Sequence, residues 1–273
     1  MVGGTTTHPA HRRRGRAGPA PATCPLTAGT PAARLDAGAR LGLSPWDREE
    51  GIHMCGRFTF QPTEAVYERF QISNRLDSLT ARDNIAPGQM VPVVIANSPR
   101  RRVCMRWGLI PHWAKDEKTA YKMMNARVET LTQRPAFRGL LSHNRCLVPA
   151  CGYYEWQGEG REKTPYYIHA QDQQYIAFAG LYDVWAKPDG QELSTFTIIT
   201  TEADPFMAKL HNRMPVILAR ELEDAWLDPA LTKAQDVLDV LSRSTGLELD
   251  AYPVSRLVNK PSVDSHALIQ RAE

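Results

Sequence analysis

Short runs rich in hydrophobic, β-branched and aromatic residues recur along most of the chain, which is typical of β-strands. Seven such runs predict strands: Val91–Ala96, Arg102–Trp107, Arg145–Val148, Tyr153–Trp156, Tyr166–His169, Tyr175–Leu181 and Phe196–Thr200. Helical spacing is rarer and predicts five helices: Thr63–Phe70, Val128–Arg134, Ala203–Leu210, Glu221–Leu227 and Lys233–Ser242. Because strands follow strands without regular βαβ alternation, we expect an α+β fold with a mainly antiparallel sheet or open barrel and peripheral helices.

The composition of the chain changes near residue 54. Residues 1–53 consist largely of Ala, Gly, Pro, Thr and Arg and show no hydrophobic period. Such a segment buries too little apolar area to offset its ordering entropy, so we expect a disordered leader. An alternative is that translation starts at Met54, because Arg48–Gly51 can be encoded by a purine run resembling a ribosome-binding site. Residues 54–273 are expected to form a single domain.

Positive charge is concentrated in the leader. The chain carries 33 Lys and Arg against 30 Asp and Glu, and residues 1–53 hold seven of the bases and four of the acids, so 26 of each remain in the rest. Binding of nucleic acid by residues 54–273 therefore requires a local basic patch. No apolar run approaches the roughly 20 residues of a membrane span, and a secretory signal is missing. We expect a cytoplasmic protein that does not enter a membrane.

Four short segments combine polar residues that a plain hydrophobic core would not select: Met54–Arg57, Met124–Glu129, Gly152–Trp156 and His211–Pro215. With Asn84–Gly88 and Arg106–Pro111, they resemble in order and spacing the SRAP family of abasic-site processing proteins. The likeness covers essentially all of residues 54–273. It implies the SRAP fold, a monomer without metal or other cofactor, and a role in DNA damage at the bacterial nucleoid. The implied partner is single-stranded DNA that contains abasic sites.

Cys55 carries the central chemistry. A cysteine at the first position of a chain holds an amine and a thiol on adjacent carbons. The amine, with an ordinary pKa of about 7.7–8.0, can form a Schiff base with the aldehyde of an abasic site. The thiol can then close onto the imine carbon and give a five-membered thiazolidine. An internal cysteine has only a planar amide nitrogen, so everything before Cys55 must be removed, by methionine removal after Met54 or by the self-processing activity that the family implies.

Three further residues are assigned roles through the resemblance. Glu155 is expected to transfer protons during opening of the sugar and formation of the imine, with its pKa raised by the aromatic surroundings. His211, between the predicted helix and a strand at residues 214–218, is expected to act as an acid–base partner on the imine and in reversal of the crosslink. Asn125 has no proton to give or take at neutral pH and is expected to orient Cys55 and the adduct.

Contacts with DNA are expected from six residues. Guanidinium groups suit phosphate oxygens, and each of three arginines lies two residues from a proposed catalytic residue. Two tryptophans could stack on exposed bases, although a core position is an equal alternative for one of them, Trp107. The resemblance adds a proline of the Asn84–Gly88 segment. The six are Arg57, Arg127, Arg213, Trp107, Trp113 and Pro87.

Other functions stay open on the sequence alone. Cys146 and Cys151 with His143 lack a second pair of ligands, so no structural zinc site is expected. A cysteine protease acting on other proteins could use Cys55, His211 and Glu155 as thiol, imidazole and carboxylate. A non-catalytic binder of single strands would tolerate the loss of Cys55.

Overall fold

The computed structural model describes residues 55–74, 80–96, 99–158, 160–244 and 247–272. The predicted disordered leader, residues 1–53, lies outside these ranges. The described residues form strands β1 (Arg57–Phe60), β2 (Arg82–Ile85), β3 (Met90–Ile95), β4 (Arg101–Trp107), β5 (Asn125–Arg127), β6 (Arg145–Ala150), β7 (Gly152–Gln157), β8 (Thr164–Ala170), β9 (Ile176–Ala186), β10 (Glu192–Glu202), β11 (Arg213–Pro215) and β12 (Leu249–Pro253). The α-helices are α1 (Glu64–Arg69), α2 (Pro135–Arg138), α3 (Glu223–Leu227) and α4 (Ala234–Ser242).

One sheet closes on itself as a barrel. Its strands pair in the order β10-β4-β3-β6-β9, and β9 pairs again with β10. Only the pairs of β10 with β4 and with β5 are parallel; the other pairs of this sheet are antiparallel. The prediction of an α+β fold with mainly antiparallel strands is confirmed, but the barrel is closed where the sequence suggested an open one. Closure pairs the backbone N–H and C=O groups of strands that would otherwise lie unpaired at the edges of the sheet.

The second sheet is open and has the order β12-β8-β7-β1-β2. Successive residues of β7 face opposite sides, as in any strand. Tyr153 belongs to the main core, and Phe178 of the barrel lies 5.8 Å from its ring. Tyr154 and Trp156 instead belong to a second core under the C-terminal segment, residues 254–268. Gly152 allows the close approach of β8, because a Cβ at this position would lie 2.5 Å from the backbone oxygen of Ile168.

Three of the five predicted helices are confirmed, as α1, α3 and α4. The other two predictions are wrong, since residues 128–134 and 203–210 contain only the 3-10 turns Val128–Thr130 and Met207–Lys209. In the first, Pro135 favours an extended conformation at the preceding Arg134, which has ψ 127°. In the second, a side-chain oxygen of Asp204 accepts a hydrogen bond from the Met207 N–H at 2.7 Å, which favours a tight turn.

Lys187–Gly190 form a tight turn between β9 and β10. The Gly190 N–H donates to the Lys187 carbonyl at 2.9 Å, and β9 and β10 pair on either side of it. Gly190 has a φ of 83°, in the left-handed region that glycine adopts without strain.

No helix among the described residues has the length and apolar character needed to cross a membrane.

Candidate functional site

Cys55 and Glu155 meet in the interior. The backbone N–H of Cys55 donates to Oε1 of Glu155 at 2.7 Å, across 100 residues of sequence. Antiparallel pairing of β1 with β7, with Arg57 opposite Tyr154, brings the start of β1 beside the C-terminal half of β7. In the chain as it stands this nitrogen is a peptide N–H, and it occupies the place that the α-amine would take in a chain beginning at Cys55. The carboxylate therefore lies at the atom that would attack an aldehyde.

Glu155 is almost fully buried, with 1% of its surface exposed. Burial raises the pKa of its carboxyl to about 8, against opposing effects of the Cys55 and Trp156 N–H groups and of the positive charge of Lys163. At neutral pH most molecules therefore carry a protonated Glu155. A buried carboxyl with such a pKa can act as a general acid and, after giving up its proton, as a base.

Cys55 is fully buried and has a strained backbone, with a φ of 45° in a region that L residues rarely adopt. Burial, and secondarily the charge of Glu155, raises the pKa of its thiol well above the ordinary value. The thiol is therefore protonated in the resting site. This is the reverse of the activated cysteine of a protease, whose pKa is lowered by a neighbouring cation.

Strand β10 gathers the other motif residues at one place. On one side β5 runs parallel to it, with Asn125 opposite Ile198 and Arg127 opposite Thr200. On the other side β11 runs antiparallel, with Arg213 opposite Glu202. Asn125 is partly buried and Arg127 is exposed. The Asn-Ala-Arg and His-Asn-Arg segments, 84 positions or more apart in sequence, thus flank the end of one strand.

His211 has one ring nitrogen engaged. The backbone N–H of Arg213 donates to its Nδ1 at 3.1 Å, which places the proton of the neutral ring on Nε2. Burial lowers the pKa of His211, and the charges of Lys163 and Arg213 lower it further. The ring is therefore neutral at pH 7. The Gln157 side chain donates to the Lys209 carbonyl at 2.8 Å, which ties the strand of Glu155 to the segment that precedes His211.

Two of the three arginines expected to grip phosphates are held by the protein itself. Nη1 and Nη2 of Arg213 donate to the carboxylate of Glu129 at 2.6 and 3.0 Å, and 10% of this side chain is exposed. Arg57 donates to the backbone oxygens of Val258 and Asn259, in the C-terminal segment. A guanidinium fork engaged in this way has few donors left for DNA. In this structure both guanidinium groups bind other parts of the protein, and contact of either arginine with DNA stays a prediction.

Trp107 is likewise not placed to stack on bases. It is completely buried, its ring stacks on Phe196 with centroids 6.4 Å apart, and its Nε1–H donates to the Met124 carbonyl at 2.9 Å. Trp107 therefore occupies a core position, the alternative to stacking, because none of its surface is exposed to a base. Trp113, in contrast, exposes 57% of its surface on the loop between β4 and β5. Pro87 is partly exposed in the turn whose Gly88 N–H donates to the Trp107 carbonyl at 2.8 Å.

Sequence reasoning missed Tyr153. Its side chain is fully buried, and its hydroxyl has no hydrogen-bond partner within the described part of the chain. Burial raises the pKa of this hydroxyl well above the ordinary value, and Cys55, Glu155 and Asp204 would raise it further when ionised. The signal was available, because Tyr153 precedes Glu155 by two residues and a strand brings such residues to one face. Among the described residues, no group of three or more His, Cys, Asp or Glu is arranged to hold a metal ion.

The chain matches the family profile described as SOS response associated peptidase (SRAP) over residues 54–261. It is 42% identical over 222 residues to abasic site processing protein YoqW of Bacillus subtilis, which covers 80% of this chain and 99% of that protein. It is 36% identical over 186 residues to abasic site processing protein HMCES of Xenopus tropicalis, covering 60% of this chain and 55% of that one.

Among solved structures, a protein from Bacteroides thetaiotaomicron superposes with a TM-score of 0.70 at 29% identity, covering 80% of this chain and all of that one. A phage-related protein from Bordetella bronchiseptica gives a TM-score of 0.59 at 31% identity, covering 74% and 95%. The match in sequence and fold extends over the segments that carry Cys55, Asn125, Glu155 and His211. This chain belongs to the SRAP family.

Proposed function

We propose that this protein captures abasic sites in single-stranded DNA as a thiazolidine formed by an N-terminal Cys55. The observation that carries the proposal is the hydrogen bond of 2.7 Å between the Cys55 nitrogen and the buried carboxyl of Glu155. The relatives named abasic site processing proteins support the choice of substrate. The reaction needs a free α-amine at Cys55, and therefore the removal of the preceding residues.

The first step is formation of the imine. The protonated Glu155, whose pKa is about 8, gives its proton to the sugar oxygen as the ring opens, and the Cys55 amine attacks the aldehyde carbon. The resulting carbinolamine loses water to give the Schiff base. Neutral His211 can accept a proton at this stage and return it when the crosslink reverses. Asn125 orients the end of the chain.

The second step is closure of the ring. Glu155, now a carboxylate, takes the proton of the Cys55 thiol, the sulfur adds to the imine carbon, and Glu155 passes the proton to the nitrogen, which becomes the N–H of the ring. The raised pKa of the thiol supports this order, because the sulfur stays protonated until a base is available next to it. Closure converts a reversible imine into an adduct that resists hydrolysis.

Single-stranded DNA would bind on the surface that carries Arg127, Trp113 and Pro87. Arg127 supplies an exposed guanidinium for a phosphate, and Trp113 supplies an exposed ring for a base. Arg127 places this contact beside the site, because it lies in the same strand, β5, as Asn125.

Two rival functions are less well supported. A protease acting on other proteins needs a thiolate activated by an imidazolium, whereas the Cys55 thiol has a raised pKa and His211 a lowered one. We retain peptidase chemistry only as self-processing that exposes Cys55. A non-covalent binder would not require a carboxyl at the Cys55 nitrogen.

The test is denaturing gel electrophoresis after timed incubation with an abasic single-stranded oligonucleotide. Wild-type protein should give a heat-stable adduct, and Glu155→Gln should form it more slowly by roughly 10²–10⁴-fold, the usual loss when general acid–base help is removed. The exposed glutamate of α1 provides the control Glu68→Gln, which should react at the wild-type rate. Cleavage of a generic protein substrate without any DNA adduct would contradict the proposal.

A further inference from the structure

The Tyr153 hydroxyl is a hydrogen-bond donor without an acceptor. The residue is fully buried in the main core, and its ring is held edge-on by Phe178, 83° from coplanar. Within the described residues the hydroxyl finds no partner, although buried hydroxyls are nearly always hydrogen-bonded. A phenylalanine would fill the same space without leaving a polar atom unsatisfied. The unsatisfied hydroxyl at this position therefore suggests a role outside the resting state.

Two residues near Tyr153 change protonation during the proposed capture, Glu155 and Cys55. Tyr153 and Glu155 lie two residues apart on one face of β7, and Glu155 accepts the hydrogen bond from the Cys55 nitrogen. Cys55 and Tyr153 belong to the same buried core, and the ionised forms of Cys55, Glu155 and Asp204 would raise the pKa of the Tyr153 hydroxyl beyond the effect of burial. Tyr153 keeps its proton at neutral pH, so it remains a donor throughout. A neutral thiol is a poor acceptor, whereas a thiolate is a strong one. A Cys55 thiolate would thus supply the acceptor that the Tyr153 hydroxyl lacks in the resting site.

We propose that the Tyr153 hydroxyl donates a hydrogen bond to the Cys55 sulfur as it deprotonates, and holds it for closure onto the imine carbon. The inference rests on the proposed function. In the step, the S–H bond breaks and its proton passes to the Glu155 carboxylate. A sulfur electron pair forms the new S–C bond, the π pair of the C=N bond returns to nitrogen, and the nitrogen takes the proton from Glu155 to become the N–H of the ring. Tyr153 keeps its own proton.

The adjacent tyrosine provides a matched control. Tyr154 points to the opposite face of β7, into the second core, and its ring lies 5.3 Å from that of Tyr167. Its hydroxyl donates to the Asp83 carbonyl at 2.7 Å. The two tyrosines are neighbours in one strand, both fully buried, and differ in whether the hydroxyl is satisfied.

The experiment compares Tyr153→Phe with Tyr154→Phe in protein that has Cys55 at its N-terminus. Imine is trapped by borohydride at each time point, and ring closure is followed as heat-stable adduct across a pH series. Tyr153→Phe should form imine at the wild-type rate and close the ring about 10- to 100-fold more slowly, the factor expected for one hydrogen bond to a charged atom. Its closure profile should move to higher pH, and its melting temperature should be unchanged or raised. Tyr154→Phe should melt at a lower temperature and react normally.

The outcomes separate this inference from the proposed function. If Tyr153→Phe closes the ring at the wild-type rate and its pH profile is not shifted, the hydroxyl has no role in closure. Covalent capture would stand in that case. If that variant forms less imine and also melts at a lower temperature, Tyr153 has a structural role, and the proposed hydrogen bond to the sulfur is likewise overturned. If the wild-type protein gives neither trapped imine nor stable adduct, the proposed function itself fails.

Discussion

Replacing Glu155 by glutamine should stabilise the fold while disabling the reaction, and the gain should depend on pH. The carboxyl has an ordinary pKa of 4.5 and a pKa of about 8 in the folded protein, chiefly because it is buried. Between these two values the folded chain holds a proton that the unfolded chain has released. The free energy of unfolding of the wild type therefore falls as pH rises through this window, and glutamine removes the effect.

The magnitude follows from the two pKa values. Each pH unit in the window corresponds to about 1.4 kcal/mol. Over the interval from 4.5 to about 8, the contribution of Glu155 reaches an upper limit of about 5 kcal/mol. The advantage of Glu155→Gln should be near zero at pH 4.5, grow steadily to pH 8 and stay constant above it. Glutamine keeps an oxygen that can accept the hydrogen bond from the Cys55 nitrogen.

Urea unfolding followed by tryptophan fluorescence at a series of pH values measures this difference, since the chain has six tryptophans. Both variants must have the same N-terminus, because a free amine at Cys55 would add a charge beside the carboxyl. The exposed replacement Glu68→Gln controls for the loss of a surface charge. A stability difference between wild type and Glu155→Gln that is the same at pH 5 and pH 8, or that favours the wild type, would refute the reasoning.

Three further predictions follow from the site. Arg127→Ala should weaken binding to single-stranded DNA, measured by fluorescence anisotropy. It should also flatten the dependence of log affinity on log salt by about one phosphate contact, and an unchanged slope would show that Arg127 does not contact a phosphate. Arg57→Ala should lower the free energy of unfolding by roughly 1–3 kcal/mol in urea titrations, because it ties β1 to the C-terminal segment. Cys55→Ser keeps the amine and should give borohydride-trapped imine with little heat-stable adduct on gels; stable adduct at the wild-type rate would exclude ring closure by the thiol.

The strands with strong patterns could be predicted from the sequence. All seven predicted strands occur, as β3, β4 and β6 to β10, because their β-branched and aromatic residues alternate over several positions. The short strands β1, β2, β5 and β12 were not predicted, and the strand expected at residues 214–218 is present only in part, as β11 (Arg213–Pro215). Asn125–Arg127, for example, has only three residues, and its extended form depends on pairing with β10, more than 70 residues away. Local pattern carries no signal for such long-range pairing.

The site could be predicted in part, but the sequence did not predict which of its residues are buried or paired within the protein. The motif residues led to Cys55 and Glu155, which the fold joins by a hydrogen bond. Sequence alone could not tell that Trp107 lies in the core, because a large aromatic residue suits a core and a binding surface equally. It could not tell that Arg213 is paired, because its partner Glu129 lies 84 residues away and meets it only across β10.

The most direct test of covalent capture is the mass of the product. Protein with Cys55 at its N-terminus is incubated with an abasic single-stranded oligonucleotide, heated, and analysed by intact-mass spectrometry and peptide mapping. The account predicts one adduct whose mass is the sum of protein and DNA less one water, mapped to residue 55. It also predicts no heat-stable adduct on chains that retain residue 54. A heat-stable adduct on such chains, or one mapped to a lysine, would contradict it.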